Sequence, residues 1–225
     1  MATLQEIIST LEGLRAGRQT DEQVFTPSEW KFLVDMWRSK LLRQEASDGK
    51  RLVGTVHSQT ITIPLTRNPS TLPFPMKGQT IGYQSTKKVP TLLHTRWGNK
   101  PSFVGSNPIL PSAQHSSLET IRYQLAALMT GNSDRYILHE QDFYYYSSQG
   151  LESISLTGVF EDPYEVEVFM GRDNPFDPYG FQYPLSTTHL DGLYRGLADT
   201  ELRILKASIP DLTNDGHEPD PRTGK

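Results

Sequence analysis

Apolar residues near the start of the chain recur at helical spacing. Leu4, Ile7, Ile8, Leu11 and Leu14 line one face over residues 4–16. Thr3 and Glu6 supply a capping box in front of it, and Gly17 is a natural stop. A longer stripe of Trp30, Leu33, Val34, Trp37 and Leu41 predicts a second helix over 27–45. Thr26 caps it, Pro27 takes its first position, and Glu29 completes the box. From Leu52 the period falls to two: Val53, Thr55, Thr60 and Thr62 alternate with Ile61 and Ile63, the mark of strands. Residues 66–90 hold Pro69, Pro73, Pro75, Gly78, Gly82 and Pro90 and predict a long loop with at most one short strand. Leu92–Trp97 and Ser102–Val104 read as strands around a Gly98-Asn99 turn. Leu118, Ile121, Leu125 and Leu128 predict a helix over 117–129. Arg135–Ser147 and Glu152–Val159 then read as a strand pair turning at Gln149-Gly150.

A last stripe of Leu190, Leu193, Leu197, Ile204 and Leu205 predicts a helix over 187–207, with Thr188 and Asp191 placed as a capping box. The expected fold class is α+β. Terminal helices pack as a small bundle around an inserted antiparallel β region at 52–104 and 135–160, with long Pro/Gly-rich loops. Residues 1–207 form one domain in this reading, and 208–225 an extended tail that gains order only against a partner.

Composition sharpens the picture. With 225 residues the chain is long enough for a core, yet hydrophobic residues make up only 36%, and the mean hydropathy is −0.50. A lean core with long loops points to burial against other chains. The net charge of −4 speaks against a protein that grips nucleic-acid phosphates. Cysteine is absent, which excludes thiolate chemistry and a disulfide framework. The N-terminus lacks signal-peptide features, and no apolar run nears the roughly 18 residues of a membrane span.

The chemistry-bearing patterns are sparse. Phosphate loops, dinucleotide fingerprints, nucleophile elbows and zinc-protease helices are all missing. His57, His94, His115, His139, His189 and His217 are scattered. His189 beside Asp191 fits a helix start better than a catalytic pair. Asp173-Asn174-Pro175-Phe176-Asp177 offers oxygens but lacks the spacing and closing Glu of a calcium loop, so it reads as a turn. Tyr144-Tyr145-Tyr146 could stack sugars, although alternating tyrosines in a strand are more often half core. No metal, cofactor or catalytic set is expected. Trp30 and Trp37 read as core or as interface anchors.

Taken in order, several segments resemble one family. Thr26–Glu45, the Thr95-Arg96-Trp97-Gly98 stretch, Tyr123-Gln124-Leu125-Ala126, Gly131-Asn132 and Leu156–Val166, which contains Gly158-Val159-Phe160-Glu161-Asp162-Pro163, are similar to the head-to-tail adaptor, or ring, proteins of short-tailed phages. The crAss-like and related podoviruses carry the nearest patterns. The resemblance covers roughly 4–205; the proline-rich loop at 66–90 and the tail past 207 depart from it.

The resemblance implies a non-enzymatic virion protein, assembled in the host cytoplasm. It would form a homo-oligomeric ring, commonly a dodecamer, in the neck. It would bind the portal protein above and a tail tube or nozzle protein below, and genomic DNA would pass through without specific binding. Trp30, Trp37, Arg38, Arg43, Glu161 and Asp162 are the candidate subunit-interface residues, with the two arginines set against the two acids of a neighbour. The alternatives are another tail or baseplate subunit, or a carbohydrate-binding module or small hydrolase resting on Tyr145 and His189.

Overall fold

The computed structural model describes residues 1–16, 25–48, 52, 56–67, 81–95, 101–106, 112–116 and 134–200. Its helices are α1 (Leu4–Ala16), α2 (Pro27–Ser47), α3 (Pro163–Phe169) and α4 (Thr187–Asp199). Its strands are β1 (Gln59–Arg67), β2 (Ile81–Ser85), β3 (Phe103–Gly105), β4 (Gln114–His115), β5 (Arg135–His139), β6 (Asp142–Ser147) and β7 (Ser153–Gly158). The class is α+β, as the pattern predicted.

The helix starts follow their caps. The Thr3 N–H donates to Glu6 Oε2 at 2.9 Å and the Glu6 N–H to Thr3 Oγ1 at 3.2 Å. At α2, Thr26 N–H donates to Glu29 Oε2 at 2.7 Å and Glu29 N–H to Thr26 Oγ1 at 3.3 Å. The last helix begins at Thr187 as expected, but its N-cap is Ser186, not Thr188, and accepts from the His189 N–H. That helix is described to Asp199, so its expected continuation to 207 lies outside the described residues, as do the helix at 117–129 and the tail.

The seven strands form one curled mixed sheet in the order β3-β7-β1-β2-β6-β5-β4. All pairs are antiparallel except β4 with β5. Three strand expectations need correction. Arg135–Ser147 is not one strand but the β5–β6 hairpin, folded at Glu140, whose φ is +54°. Gln149-Gly150 does not join a paired β6 and β7; instead β7 crosses over to pair with β1 on one side and β3 on the other. Nor do the flanks of Gly98-Asn99 pair with each other among the described residues: β3 lies against β7, while Leu92 bridges to Phe160. β1 holds the sheet together. Its Gln59–Pro64 half pairs with β7 and its Leu65–Arg67 half with β2.

Two cores result. Ile61, Ile63, Tyr83, Phe143, Tyr145, Ile154 and Leu156 of the strands form one core cluster together with Phe160. Leu4, Ile7, Ile8 and Leu11 of α1 pack with Trp30, Val34 and Trp37 of α2 and with Leu190, Leu193 and Leu197 of α4. Residues 179–183 run along α1, where Tyr179 and Phe181 carbonyls accept from its first N–H groups at 3.0 and 3.3 Å.

Candidate functional site

The seam between the two cores concentrates the polar side chains that the sequence had singled out. It is built on α2 and on the turn Val159–Pro163. The turn is held by main-chain bonds: Leu93 N–H to Val159 O at 2.8 Å and Glu161 N–H to Thr91 O at 2.9 Å. Pro163 then takes the first position of α3, and Asp162 Oδ1 caps it by accepting from the Tyr164 N–H at 2.8 Å.

Three side chains of α2 clasp this turn. Lys31 lies between two carboxylates, 2.7 Å from Asp35 Oδ2 and 2.8 Å from Asp162 Oδ2. Burial alone would lower its ammonium; hydrogen bonds and attraction from Asp162 and Asp35 outweigh it and raise the Lys31 pKa. Asp35 is raised because burial dominates there, despite donations from Lys31 and from the Tyr183 hydroxyl at 2.6 Å. Both pKa values rise, with opposite meanings: the rise favours the charged lysine and disfavours the charged aspartate, because burial outweighs the hydrogen bonds at Asp35, which also feels the charge of Asp162.

Arg38 is fully buried. Its Nη1 donates to Phe160 O at 2.8 Å, and its guanidinium lies 5.8 Å from the centre of the Tyr183 ring. Desolvation pushes its pKa down, and Tyr183 and Asp35 offset this in part. Arg43, near the helix end, reaches out to Glu161 Oε1 at 2.6 Å while its Nε donates to His94 O at 3.2 Å.

The six candidate interface residues are therefore brought together, but inside one subunit. Trp30 and Arg38 are wholly enclosed and Trp37 nearly so. Arg43 meets Glu161 of its own chain, and Asp162 meets Lys31. The expected pairing between neighbours has a partner within the chain at each of these groups. Only Arg43 and Glu161, both nearly half exposed, keep a substantial surface free of the subunit interior.

The seam continues to three residues that sequence spacing did not connect. Glu45 in the last turns of α2, His57 before β1 and His189 in the first turn of α4 present ligand atoms all within 4.8 Å of one another. His57 is buried and its Nδ1 lies 3.4 Å from Pro184 O, while His189 Nε2 lies 2.9 Å from Glu45 Oε2. Burial lowers the His57 pKa, with repulsion from His189 and Arg38 adding to it against the Pro184 carbonyl and Glu45. No linear motif joins positions 45, 57 and 189. Glu45 and His189 stand near the ends of predicted helices, but His57 fell inside the predicted strand region that starts at Leu52.

The other chemical candidates resolve into structure. Asn174 Oδ1 accepts from the Phe176 N–H at 3.1 Å and Asn174 O from the Asp177 N–H at 3.1 Å, so Asn174 spends both its oxygens on turns. Tyr145 and Tyr146 are buried, with the Tyr145 hydroxyl donating to Asp134 at 2.8 Å, leaving only Tyr144 partly exposed. Burial raises the Tyr146 hydroxyl to about 12. A flat aromatic platform for sugars is not formed by this strand. Among the described residues no helix is long and apolar enough to cross a membrane.

The exposed surface carries its own pattern. Phe32 is 67% and Met36 40% exposed, one turn apart on the outer side of α2. Phe176 is almost fully exposed at the tip of the loop after α3.

No curated protein matches the chain. A family model described as phage tail ring protein 2 matches residues 6–220, a span that reaches well beyond 207 into the tail segment. The chain belongs to this family, the ring protein 2 of crAss-like phages, a structural and non-enzymatic component of the virion tail.

Proposed function

We propose that the ring acts as a head-to-tail adaptor. Twelve copies stack below the portal, join it to the tail tube or nozzle, and leave a channel through which the genome is ejected. Membership of a ring family implies a homo-oligomer, and a closed ring built head to tail needs two different surfaces on every subunit. The observation that carries the reading is the exposed Phe32–Met36 pair on α2. Large apolar side chains on a rigid helix in a chain with a lean core mark a surface meant for cover. A neighbouring copy supplies that cover in a ring.

The charge balance supports passage of DNA over binding to it. A net charge of −4 gives little phosphate affinity, so a duplex would slide through the channel. Arg43 and Glu161, paired and still nearly half exposed, are placed to extend their ion pair to a neighbour. Mixing the purified protein with the portal ring of the same phage and imaging the product tests the adaptor position. A twelve-fold ring stacked on the portal is expected. A trimer, or a ring that attaches only to distal tail proteins, would overturn it.

A further inference from the structure

Glu45, His57 and His189 sit where three elements of the seam converge. Glu45 lies in the last turn of α2, His57 in the turn leading to β1, and His189 in the first turn of α4. We propose that these three side chains form a zinc site that staples α2, the approach to β1 and α4 to one another. This inference concerns the subunit alone and does not depend on where the ring lies in the virion.

The donor set fits the ion. Two imidazoles and one carboxylate are the nitrogen and oxygen ligands that zinc takes, whereas magnesium and calcium require oxygen throughout. The outer partners fit as well. The Pro184 carbonyl can only accept, so His57 carries its proton on Nδ1, 3.4 Å away, and presents the lone pair of Nε2. His189 Nδ1 meets the Ser186 hydroxyl, and its Nε2 faces Glu45 Oε2 at 2.9 Å. With the Ser186 hydroxyl accepting from Nδ1–H, Nε2 is unprotonated and can ligate; the 2.9 Å contact with Glu45, a hydrogen bond when Nε2 carries the proton, then opens to admit the ion. A ligating histidine whose second nitrogen is held by a carbonyl or hydroxyl is the usual supporting pattern of a metal centre.

The geometry asks for a small movement. The ligand atoms lie within 4.8 Å of each other, and tetrahedral zinc with its ordinary bond lengths brings ligands to about 3.4 Å apart. Glu45 is 22% exposed in its side chain and His189 15%, so both have room to part from their 2.9 Å contact and turn towards the ion while His57 stays fixed by burial. Three protein ligands leave a fourth position for water.

The rival account is an ion pair between Glu45 and a protonated His189, with His57 as packing. The two differ in what the full-length protein does with metal. After treatment with a chelator, calorimetric titration with zinc chloride near neutral pH is expected to show one ion per chain and a raised Tm. The cobalt-loaded protein is expected to show the visible absorption of a four-coordinate ion. His189→Asn and His57→Asn should abolish both signals, and Ser186→Ala should weaken binding roughly 10–100-fold by releasing the second nitrogen of His189. His139→Asn, outside the cluster, should leave them unchanged. If buried His57→Asn unfolds the chain, Glu45→Gln at the partly exposed helix end gives the same reading with the fold intact. Absence of zinc uptake by the wild type, or uptake undiminished in folded His189→Asn and Glu45→Gln, would overturn the site.

Discussion

Arg38 lies in a row of otherwise apolar positions. Trp30, Val34, Leu42 and Ala46 stand four residues apart along α2, all buried, and Arg38 occupies the middle of the series. Read as a late-helix cation it suggests a surface role; read along that row it belongs inside, and the row was visible in the sequence. What sequence could not supply was its acceptor, the carbonyl of Phe160, 122 positions away. A buried guanidinium is tolerated only because such acceptors and the Tyr183 ring replace water. Arg38→Ala should therefore cost about 3 kcal/mol in urea unfolding, because charge-assisted bonds are lost and Phe160 O is orphaned. Arg43→Ala removes a largely exposed ion pair and should cost no more than about 1 kcal/mol. Equal losses would place Arg38 outside the seam's energetics. His57 yields a pH dependence whose sign follows from its lowered pKa. Its neutral form is favoured in the fold, so its contribution is full above the unfolded value of about 6.5 and is lost as pH falls towards the folded value. His189, Glu45, Arg38 and the Pro184 carbonyl face it. In metal-free protein, wild type should lose stability below that point more steeply than His57→Asn, as followed by unfolding at stepped pH.

At the scale of elements, the starts of α1 and α2 were legible because their capping boxes are local chemistry. Four residues contain both bonds. The β5–β6 hairpin was not legible, because its turn places Glu140 at φ +54°, a position at which glycine or asparagine gives the usual signal. Gln149-Gly150 carried that signal and yet leads into a crossover, since β7 gains more by pairing along six residues of β1. Helix α4 shows how a neighbour decides a local preference. Gly192 and Gly196 both lie within it, and alanine is worth about 1 kcal/mol more than glycine in an open helix. A Cβ at Gly192 would meet Leu41 at 3.8 Å, ordinary contact, so Gly192→Ala should raise stability by up to about 1 kcal/mol. A Cβ at Gly196 would lie 2.7 Å from Cε3 of the Trp37 ring and closer still to its neighbour, so Gly196→Ala should destabilise by about 1–3 kcal/mol as the ring is forced off α4. Thermal melts of the two variants should move in opposite directions.

For the whole molecule, the tryptophans read as interface candidates and the exposed apolar residues turn out to be different pairs, and both lie on α2. Sequence alone cannot separate them, since Trp30, Phe32, Met36 and Trp37 are all large and apolar within two turns of one helix. Rotation about the helix axis separates them: Trp30 and Trp37 face α1 and α4, while Phe32 and Met36 face outward. A subunit stabilised by the first pair and assembled through the second has distinct failures for each. Phe32→Glu with Met36→Glu touches no described core cluster, so the isolated subunit should keep its stability within about 0.5 kcal/mol. In the ring the same change sets two charges into an apolar contact with no counter-ion, and a closed ring repeats the penalty at every interface. The expected result in native mass measurement is a folded protein that remains a monomer where the wild type forms a closed ring. A double variant that still closes would move the subunit contact away from α2, to surfaces such as the loop carrying Phe176.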